Sequence, residues 1–423
     1  MSAEARLREI RDGFERPFWV ANISEIFERL SYYGAFASLP LYLREKLNFS
    51  TQQTGTLTGL FGFGVWFLAI FGGAVADKIG FRRALSTAYL ILAAAYFLIG
   101  SIGDSWLAPV RNAMPLGLFV GVILLLPALG VSLVKPCVVG TTARASKDNV
   151  RQIGYSIYYT MVNIGSLAGP SIASWAHRHL GVEKVYRISA LSVLLMFLFV
   201  LIFFREPRKA GDAPPPSFGQ VAKNFLQILW PPRFLIFLLI FTGYWIVYWQ
   251  QYTSLPGFFT EYVSANKGLA ELVLITDPLV VIFLTIAVNY LIRKMAPLHA
   301  VILGTVITSL SWLILAFWPT VPGTVASLAV LALGEIIQQP PYYSYISKLA
   351  PAGQQGIYMG FAFLPLGLGS IFGGALGGYL VHHYAEVLHR PERVWYSITA
   401  IGLVTAVLLM VYDRAIRERV VAG

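Results

Sequence analysis

Long apolar segments constrain this chain more than any other feature of its sequence. Twelve mostly apolar segments follow one another along its 423 residues. A helix of about 20 apolar residues is long enough to cross the hydrocarbon core of a bilayer. Only 13% of the residues are charged, against about 25% in soluble domains. The sequence therefore predicts an all-α membrane protein with twelve transmembrane helices.

One polar connection divides the predicted spans into two sets of six. It lies between spans six and seven and contains three consecutive prolines, Pro214 to Pro216. We therefore expect an N-terminal six-helix bundle at 1–204, a cytoplasmic linker at 205–232 and a C-terminal six-helix bundle at 233–423. The predicted spans are 17–43, 54–76, 84–103, 115–140, 153–177, 187–204, 233–260, 270–292, 298–318, 323–347, 356–381 and 394–413.

The distribution of Lys and Arg predicts the orientation, because these residues concentrate in cytoplasmic loops. With the N-terminus inside, 21 of the 32 Lys and Arg residues lie on the cytoplasmic side and nine lie outside. Arg29 and Lys135 are within spans. Both termini are therefore expected in the cytoplasm of a cell whose inner membrane the chain crosses. The net charge of +11 then needs no nucleic acid as a partner.

Several functional classes find no support in the sequence. The single cysteine, Cys137, excludes an internal disulfide and a cysteine-rich metal site. No phosphate-binding G-x-x-x-x-G-K-[ST] loop is present, so ATP-driven transport is not expected. No nucleophile and base can be placed together, so we do not expect an enzyme. We also predict no cofactor and no metal site. The chain is expected to be a monomer whose partners are protons, lipid and a small-molecule substrate.

The loop after the second span carries a specific pattern. Residues 72–83 read G-G-A-V-A-D-K-I-G-F-R-R. Glycines let helices approach closely, and Asp77 and Arg82 lie where they can contact neighbouring helix ends. The pattern resembles the signature loop of the major facilitator superfamily. That resemblance implies two six-helix halves that rock around a central cavity, with Asp77 and Arg82 in gating.

The first span contains a group of charges at membrane depth. Glu25, Glu28, Arg29 and Tyr32 recur at helical spacings of three and four, so they share one face. Charges at this depth are costly and usually functional. One arginine cannot neutralise two carboxylates, so we expect one acid to bind a proton reversibly. The alternative is a static cluster that holds helices together.

Residues 25–34 read E-I-F-E-R-L-S-Y-Y-G, which closely resembles the E-x-x-E-R-F-x-Y-Y-G motif of the proton-dependent oligopeptide transporter family. Further segments are similar to that family: G-V-S-L-V-K-P-C at 130–137, with Cys137 in place of Asn; Y-Y-T-M-V-N-I-G-S-L at 158–167; W-Q-Q at 249–251; and G-E at 334–335. The resemblance implies import of small peptides together with protons.

The resemblance and the positions of the polar residues give three sets of candidates. The proton-coupling candidates are Glu25, Glu28, Asp277 and Glu335. Those for substrate binding are Arg29, Tyr32, Tyr33, Lys135, Tyr159, Asn163, Tyr248, Trp249, Gln250 and Glu335. Those for gating are Asp77, Arg82, Lys135 and Glu335, where the resemblance implies that Lys135 pairs with Glu335 across the cavity. Snorkelling to the interface is the alternative role for Lys135.

Two departures from the family pattern bear on the substrate. The family commonly has an acid at the position of Trp249, and this chain instead has an acid at Asp277, where the family usually has Asn. We expect Asp277 to take over part of that acid's role, the alternative being an acid at the end of a span. Pro340 and Pro341 are expected to break the tenth helix, which would reshape the pocket for a small or aromatic substrate.

Two kinds of transport remain open from the sequence. One is proton-coupled import of peptides or peptide-like molecules. The other is proton-coupled export of drugs or metabolites in exchange for protons. Both need buried acids, so the residues alone do not separate them. A sensor without transport is disfavoured by the set formed by Glu25, Glu28, Arg29, Lys135 and Glu335.

Overall fold

The computed structural model describes residues 13–147, 149–207, 219, 232–266, 268–350 and 355–421. Within these ranges the chain forms twelve long helices, which we number in chain order. They are α1 (Arg16–Glu45), α2 (Thr51–Ile79), α3 (Phe81–Ser101), α4 (Leu116–Arg144), α5 (Arg151–Leu180), α6 (Val182–Phe203), α7 (Pro232–Tyr248), α8 (Thr276–Ile292), α9 (Pro297–Phe317), α10 (Val321–Leu349), α11 (Leu364–Leu380) and α12 (Glu392–Val421).

Short helical segments extend or join several of these helices. Gln250–Thr253 and Leu255–Tyr262 continue α7, and Leu269–Leu272 with Val273–Ile275 leads into α8. Gln355–Phe361 precedes α11, and the π-helical segment Val381–Val387 follows it. Ser105–Leu107 and Ala108–Arg111 lie between α3 and α4. The predicted all-α class is confirmed.

Ten helical spans among the described residues are long and apolar enough to cross a membrane. The two long helices that fall short are α1, which holds three charges in its middle, and α5, which carries Asn163 and several serines and glycines. Both are polar where they contact other helices, so their low hydropathy reflects buried polar contacts.

The chain packs as two compact units. The first unit comprises Met1–Ala35 and Phe67–Ala222, and the second comprises Phe36–Trp66 and Lys223–Gly423. The end of α1 and the start of α2 therefore pack with the second unit. Apart from 205–207, 219 and 232, the predicted linker lies outside the described residues. The division at 1–204, 205–232 and 233–423 stays a prediction.

In the first unit α3 packs between α4 and α6, and α5 contacts α4 and α6. Gly72 of α2 faces the backbone of Ser132 in α4, so the signature-loop glycine does permit a close helix approach. Gly80, between α2 and α3, has a φ of 87°. A side chain at that φ would be strained, which explains a glycine at this tight turn.

In the second unit α9 lies against α10 and α12, α7 against α11 and α12, and α8 against α10. Trp312 of α9 stacks on Trp395 of α12, with ring centroids 4.7 Å apart. The Trp312 Nε1–H donates to the carbonyl of Val247 at 3.2 Å. These buried contacts fix the end of α7 against two neighbouring helices.

Two helices differ from the prediction in whether they are interrupted. The tenth helix runs unbroken from Val321 to Leu349 through Pro340 and Pro341, so the expected break there is wrong. Each proline removes one N–H donor, but helical bonding on both sides keeps the axis continuous. The seventh helix is interrupted instead, at Trp249 and Ser254. Pro256 lacks an N–H and crowds the preceding turn, which accounts for the second interruption.

Candidate functional site

The charges of α1 form a buried cluster in the first unit, which we call the α1 charge cluster (Glu25, Glu28 and Arg29). All three side chains are at most 1% exposed. Arg29 Nη2 donates to Glu28 Oε1 at 2.7 Å, and its Nε donates to Glu28 Oε2. Two parallel bonds from one guanidinium are the strongest arrangement for such a pair. Glu28 therefore holds Arg29 in place.

Glu25 has a different environment from Glu28. Its Oε1 lies 3.5 Å from Arg29 Nε, but neither of its carboxyl oxygens accepts a hydrogen bond among the described residues. A buried carboxylate without hydrogen bonds is costly to keep ionised. Of the two acids predicted to compete for one arginine, Glu25 is therefore the one that the structure leaves weakly neutralised.

Aromatic rings and a second cation surround the α1 charge cluster. The Tyr32 ring lies under the guanidinium of Arg29, 4.9 Å from ring centroid to Cζ. Lys135 of α4 is partly exposed and interacts electrostatically with Glu25, Glu28 and Arg29. Tyr158 of α5 also interacts with Glu25 and Arg29. Tyr158 was not among the predicted site residues, whereas its neighbour Tyr159, which was predicted to bind the substrate, is 46% exposed.

Helix α5 crosses α1 directly beside Arg29 because two glycines allow it. A Cβ on Gly165 would lie 2.6 Å from the Arg29 Cβ, and one on Gly169 would lie 2.8 Å from the Gly34 nitrogen. Contacts this short force one helix to move away. Two residues before Gly165, Asn163 Nδ2 donates to the Tyr159 carbonyl at 2.9 Å. Gly165, in the N-x-G-S segment, and Gly169 thus let α5 pack closely beside the cluster.

The signature loop joins three helix ends of the first unit. Asp77 Oδ1 pairs with Arg144 Nη2 at 3.3 Å, and the Arg144 guanidinium lies 4.3 Å from the Phe81 ring centroid. Arg82 Nη2 donates to the Leu201 carbonyl at 2.8 Å. Glu206 accepts from the backbone N–H groups of Phe81 and Arg82 at 2.7 and 2.8 Å. A carboxylate at a helix N-terminus satisfies free donors and the helix dipole.

The second unit contains another buried acidic group, the carboxyl pair (Asp277 and Glu335). The Tyr248 hydroxyl lies 3.2 Å from Asp277 Oδ2 and 3.1 Å from Glu335 Oε2. The two carboxyl groups also interact electrostatically. Gln251 Nε2 donates to Asp277 Oδ2 at 3.3 Å. The structure thus brings together Asp277, Glu335 and Tyr248, and adds Gln251, which the sequence analysis did not select.

Asp277 is not at a solvated end of a span. It lies in the first turn of α8 and is 4% exposed. Glu335 lies in the middle of α10 and is partly exposed. The pair is therefore accessible from the Glu335 side. The apolar span that includes α8 begins at Leu269, eight residues earlier, so the alternative of an acid at the surface end of a span does not describe Asp277.

The side chains of two other candidates, Trp249 and Gln250, form hydrogen bonds with nearby protein groups. Trp249 Nε1 donates to the Leu366 carbonyl at 2.9 Å, and its side chain is 4% exposed. Gln250 Nε2 donates to the carbonyls of Ile246 and Gly373, and its Oε1 accepts from Ser254 at 2.6 Å. These bonds attach the seventh helix to α11. Tryptophan at the family's acid position therefore supports packing here.

The predicted Lys135–Glu335 pair stays a prediction, because Lys135 belongs to the first unit and Glu335 to the second. No group of three or more His, Cys, Asp and Glu side chains able to hold a metal ion occurs in the described part of the chain.

Each of the two units contains one of the acidic groups described above. The α1 charge cluster lies in the first unit and the carboxyl pair lies in the second.

The known proteins that resemble this chain agree on its fold, but their names indicate different substrates. The family model described as "Major Facilitator Superfamily" matches residues 22–364 and 252–420. "Multidrug resistance protein MdtH" of Yersinia enterocolitica is 23% identical, covering 89% of this chain and 90% of that protein. The protein of the same name from Escherichia coli O157:H7 is 22% identical, covering 90% of each chain.

Solved structures resemble the chain over nearly its whole length. A POT family transporter in complex with a thioalcohol-conjugated peptide superposes with a TM-score of 0.78, at 18% identity, covering 95% of this chain and 96% of the other. A mutant of the nucleoside transporter NupG superposes with a TM-score of 0.74, at 14% identity, covering 93% of this chain and 99% of the other. At these identities the likeness concerns the fold alone.

Proposed function

We propose that this chain, which belongs to the Major Facilitator Superfamily, imports small peptides or peptide-like molecules together with protons. Members of that superfamily are multi-pass membrane proteins that transport small molecules and are not enzymes. The observation that carries the proposal is the asymmetry of the α1 charge cluster. Arg29 is bound by Glu28 through two bonds, whereas Glu25 accepts none from the described residues. In this proposal Glu25 binds the proton, and Arg29 beside it binds the carboxylate of the substrate.

The geometry supports an order of events at this cluster. The Arg29 fork is occupied by Glu28, so a substrate carboxylate cannot take both donors at once. Protonation of Glu25 removes the second negative charge beside Arg29, so the guanidinium attracts the substrate carboxylate more strongly. Arg29 suits a carboxylate because its donors are planar and paired. Lys135 adds a second positive charge beside Glu25.

The second unit supplies the acidic end that a zwitterion needs. A peptide carries an ammonium group several ångströms from its carboxylate. The carboxyl pair is negative and partly accessible, and Tyr248 lies beside it. The proposed binding residues are Arg29, Tyr32, Tyr33 and Lys135 in the first unit, and Asp277, Glu335 and Tyr248 in the second. Alternating access would expose this set to each side of the membrane in turn.

Uptake into proteoliposomes tests the direction of transport. With acid outside, we expect radiolabelled dialanine to accumulate in vesicles of purified protein, and collapse of the pH gradient by a protonophore to abolish accumulation. Asp413→Asn, at the end of α12, serves as the control variant with unchanged uptake. Dialanine uptake that ignores the pH gradient contradicts the proposal.

Proton-coupled export of drugs is the second candidate, and the sequence relatives named for multidrug resistance favour it. In that case vesicles should expel a cationic dye such as ethidium when the proton gradient points in the opposite direction to dye movement. Expulsion of ethidium without dialanine uptake would replace the first proposal by the second.

A further inference from the structure

Two buried tyrosines of α3, Tyr89 and Tyr96, lie behind the α1 charge cluster. They are seven residues apart, so they share one face of the helix, and both side chains are 0% exposed. Tyr89 interacts electrostatically with Glu25, and Tyr96 with Glu28. Tyr89 also lies near Ser24, the residue before Glu25. Neither phenol hydroxyl forms a hydrogen bond within the described part of the chain, so an acceptor that reaches either hydroxyl would be stabilising.

The packing of the first unit places the buried face of α3 toward α1. Asn22 of α1 donates to the Thr142 hydroxyl of α4 at 3.4 Å. Tyr186 of α6 donates to the Ala35 carbonyl of α1 at 3.0 Å. Helix α3 packs against both α4 and α6. Helices α1 and α3 therefore share both neighbours, and the tyrosine face of α3 looks toward the α1 charge cluster.

Glu25 receives no hydrogen bond from the charged and titratable groups on the other helices around it. Arg29 gives two bonds to Glu28, and its Nε lies 3.5 Å from Glu25. Lys135 of α4 and Tyr158 of α5 interact electrostatically with Glu25, but both are partly exposed and neither donates to it. A buried carboxylate without a donor is costly to keep ionised. Release of the proton from Glu25 is therefore favoured by a buried donor that reaches its oxygens.

We propose that Tyr89 is this donor: it is a positioning residue whose hydroxyl donates a hydrogen bond to the Glu25 carboxylate once Glu25 has released its proton. The inference rests on the proposed function, in which Glu25 binds the proton. The step balances, because the proton leaves Glu25 for the solution and the phenol keeps its own hydrogen. Rotation of the two side chains is sufficient, since neither has another hydrogen bond among the described residues. Tyr89 thereby favours proton release and prepares Glu25 for the next cycle.

Tyr96 provides a matched comparison on the same helix. Both oxygens of its neighbouring acid, Glu28, are already bonded to Arg29, so one more donor there changes little. The two tyrosines have the same ring, the same helix and the same burial. Only Tyr89 faces an acid that lacks donors. Loss of the hydroxyl should therefore affect proton release at Tyr89 and not at Tyr96.

Infrared spectroscopy of the purified full chain in lipid nanodiscs tests the inference. The C=O stretch of protonated carboxyl groups is recorded against pH, and the band of Glu25 is identified by its loss in Glu25→Gln. In Tyr89→Phe we expect the pH at which half of this band remains to rise by about one pH unit, because the carboxylate has lost a hydrogen bond. Tyr96→Phe should leave this midpoint nearly unchanged.

A stronger donor at the same position should have the opposite effect. 3-Fluorotyrosine incorporated in place of Tyr89 has a more acidic hydroxyl, so the midpoint should fall below that of the unaltered chain. A side chain that only fills space would not move the midpoint in both directions, and the fluorinated protein decides if Tyr89→Phe does not fold. A Glu25 band that does not change with pH, an unchanged midpoint in the Tyr89 proteins, or an equal shift in Tyr96→Phe overturns the inference.

The inference and the proposed import fail separately. A shifted midpoint in Tyr89→Phe without proton-driven dialanine uptake would keep the role of Tyr89 and remove peptide import. Dialanine uptake with acid outside, together with an unshifted midpoint in Tyr89→Phe, would keep import and remove the role of Tyr89.

Discussion

At the residue scale, the two glutamates of α1 have opposite roles in stability. Glu28 makes two bonds to Arg29, so it compensates the buried charge of that residue, whereas Glu25 accepts none within the described part of the chain. Breaking a buried ion pair by removing one partner costs about 3–5 kcal/mol. The sequence predicted that one of the two acids is free to titrate. It did not identify which, because spacing does not determine how one arginine divides its bonds.

Glu28→Gln should therefore lower the thermal unfolding temperature of the detergent-solubilised protein clearly, because Arg29 loses its charged partner. Glu25→Gln should leave that temperature near that of the unaltered chain and abolish uptake driven by a pH gradient. Exchange of labelled for unlabelled substrate at equal pH should persist in Glu25→Gln. Glu392→Gln, at the start of α12, is the matched control. Equal destabilisation by both α1 substitutions would contradict this assignment.

Neighbouring residues show the limit of motif reading. The sequence selected Tyr159 and Gln250, while the structure brings Tyr158 and Gln251 to the two acid groups. Successive residues of a helix point about 100° apart, since there are 3.6 residues per turn. A motif locates the helical turn correctly, but its rotation about the axis depends on packing that one sequence does not record.

Tyr158→Phe should therefore reduce substrate affinity more than Tyr159→Phe does. Tyr158 interacts electrostatically with Glu25 and Arg29, whereas the side chain of Tyr159 is 46% exposed. The Michaelis constant for dialanine uptake measures the difference. A larger effect of Tyr159→Phe would show that the opposite face of α5 binds the substrate.

At the element scale, close helix crossings determine where the charges lie. Gly165 and Gly169 let α5 approach α1 at Arg29. In the sequence, Gly165 stood out only as part of a segment similar to a known family, and its role in helix packing was not predicted. Two expectations about helix continuity were wrong. Helix α10 is continuous through its prolines, and α7, which was predicted as one span, is interrupted. Pro340 and Pro341 were expected to break α10, but the bonds of the flanking turns and the packing of α10 against α8 and α9 keep that helix continuous.

Gly165→Ala should destabilise the protein by about 1–3 kcal/mol, the usual cost of overpacking, and should weaken transport by moving Arg29. Gly360→Ala is the control, because no described atom would lie within 4 Å of a Cβ there. Thermal unfolding of both variants in the same detergent gives the comparison. Equal unfolding temperatures would mean that the crossing of α1 and α5 tolerates a methyl group.

The capping of α3 by Glu206 is a second test at this scale. Glu206→Ala removes the acceptor of two backbone N–H groups, so we expect a loss of about 0.5–2 kcal/mol. The measurement is the change in unfolding temperature. Lys184→Ala, at the other end of α6, should have little effect. An unchanged Glu206→Ala protein would mean that water satisfies these donors equally well.

At the scale of the whole molecule, two buried acid groups in two separate units suit a transporter that couples two binding events. Composition and hydropathy were sufficient to predict an all-α membrane protein, because twelve apolar segments have no soluble alternative. The substrate was not predictable, because peptide transporters and multidrug exporters share this fold and both need buried acids. Direction of proton movement is the property that separates the two.

The central claim is that substrate and proton move inward together. Proteoliposomes containing a pH-sensitive dye in the lumen are diluted into buffer with dialanine and no initial pH gradient. We predict that dialanine acidifies the lumen of vesicles with the unaltered chain and leaves it unchanged with Glu25→Gln. A lumen that stays at constant pH while dialanine enters, or becomes alkaline, would contradict the claim.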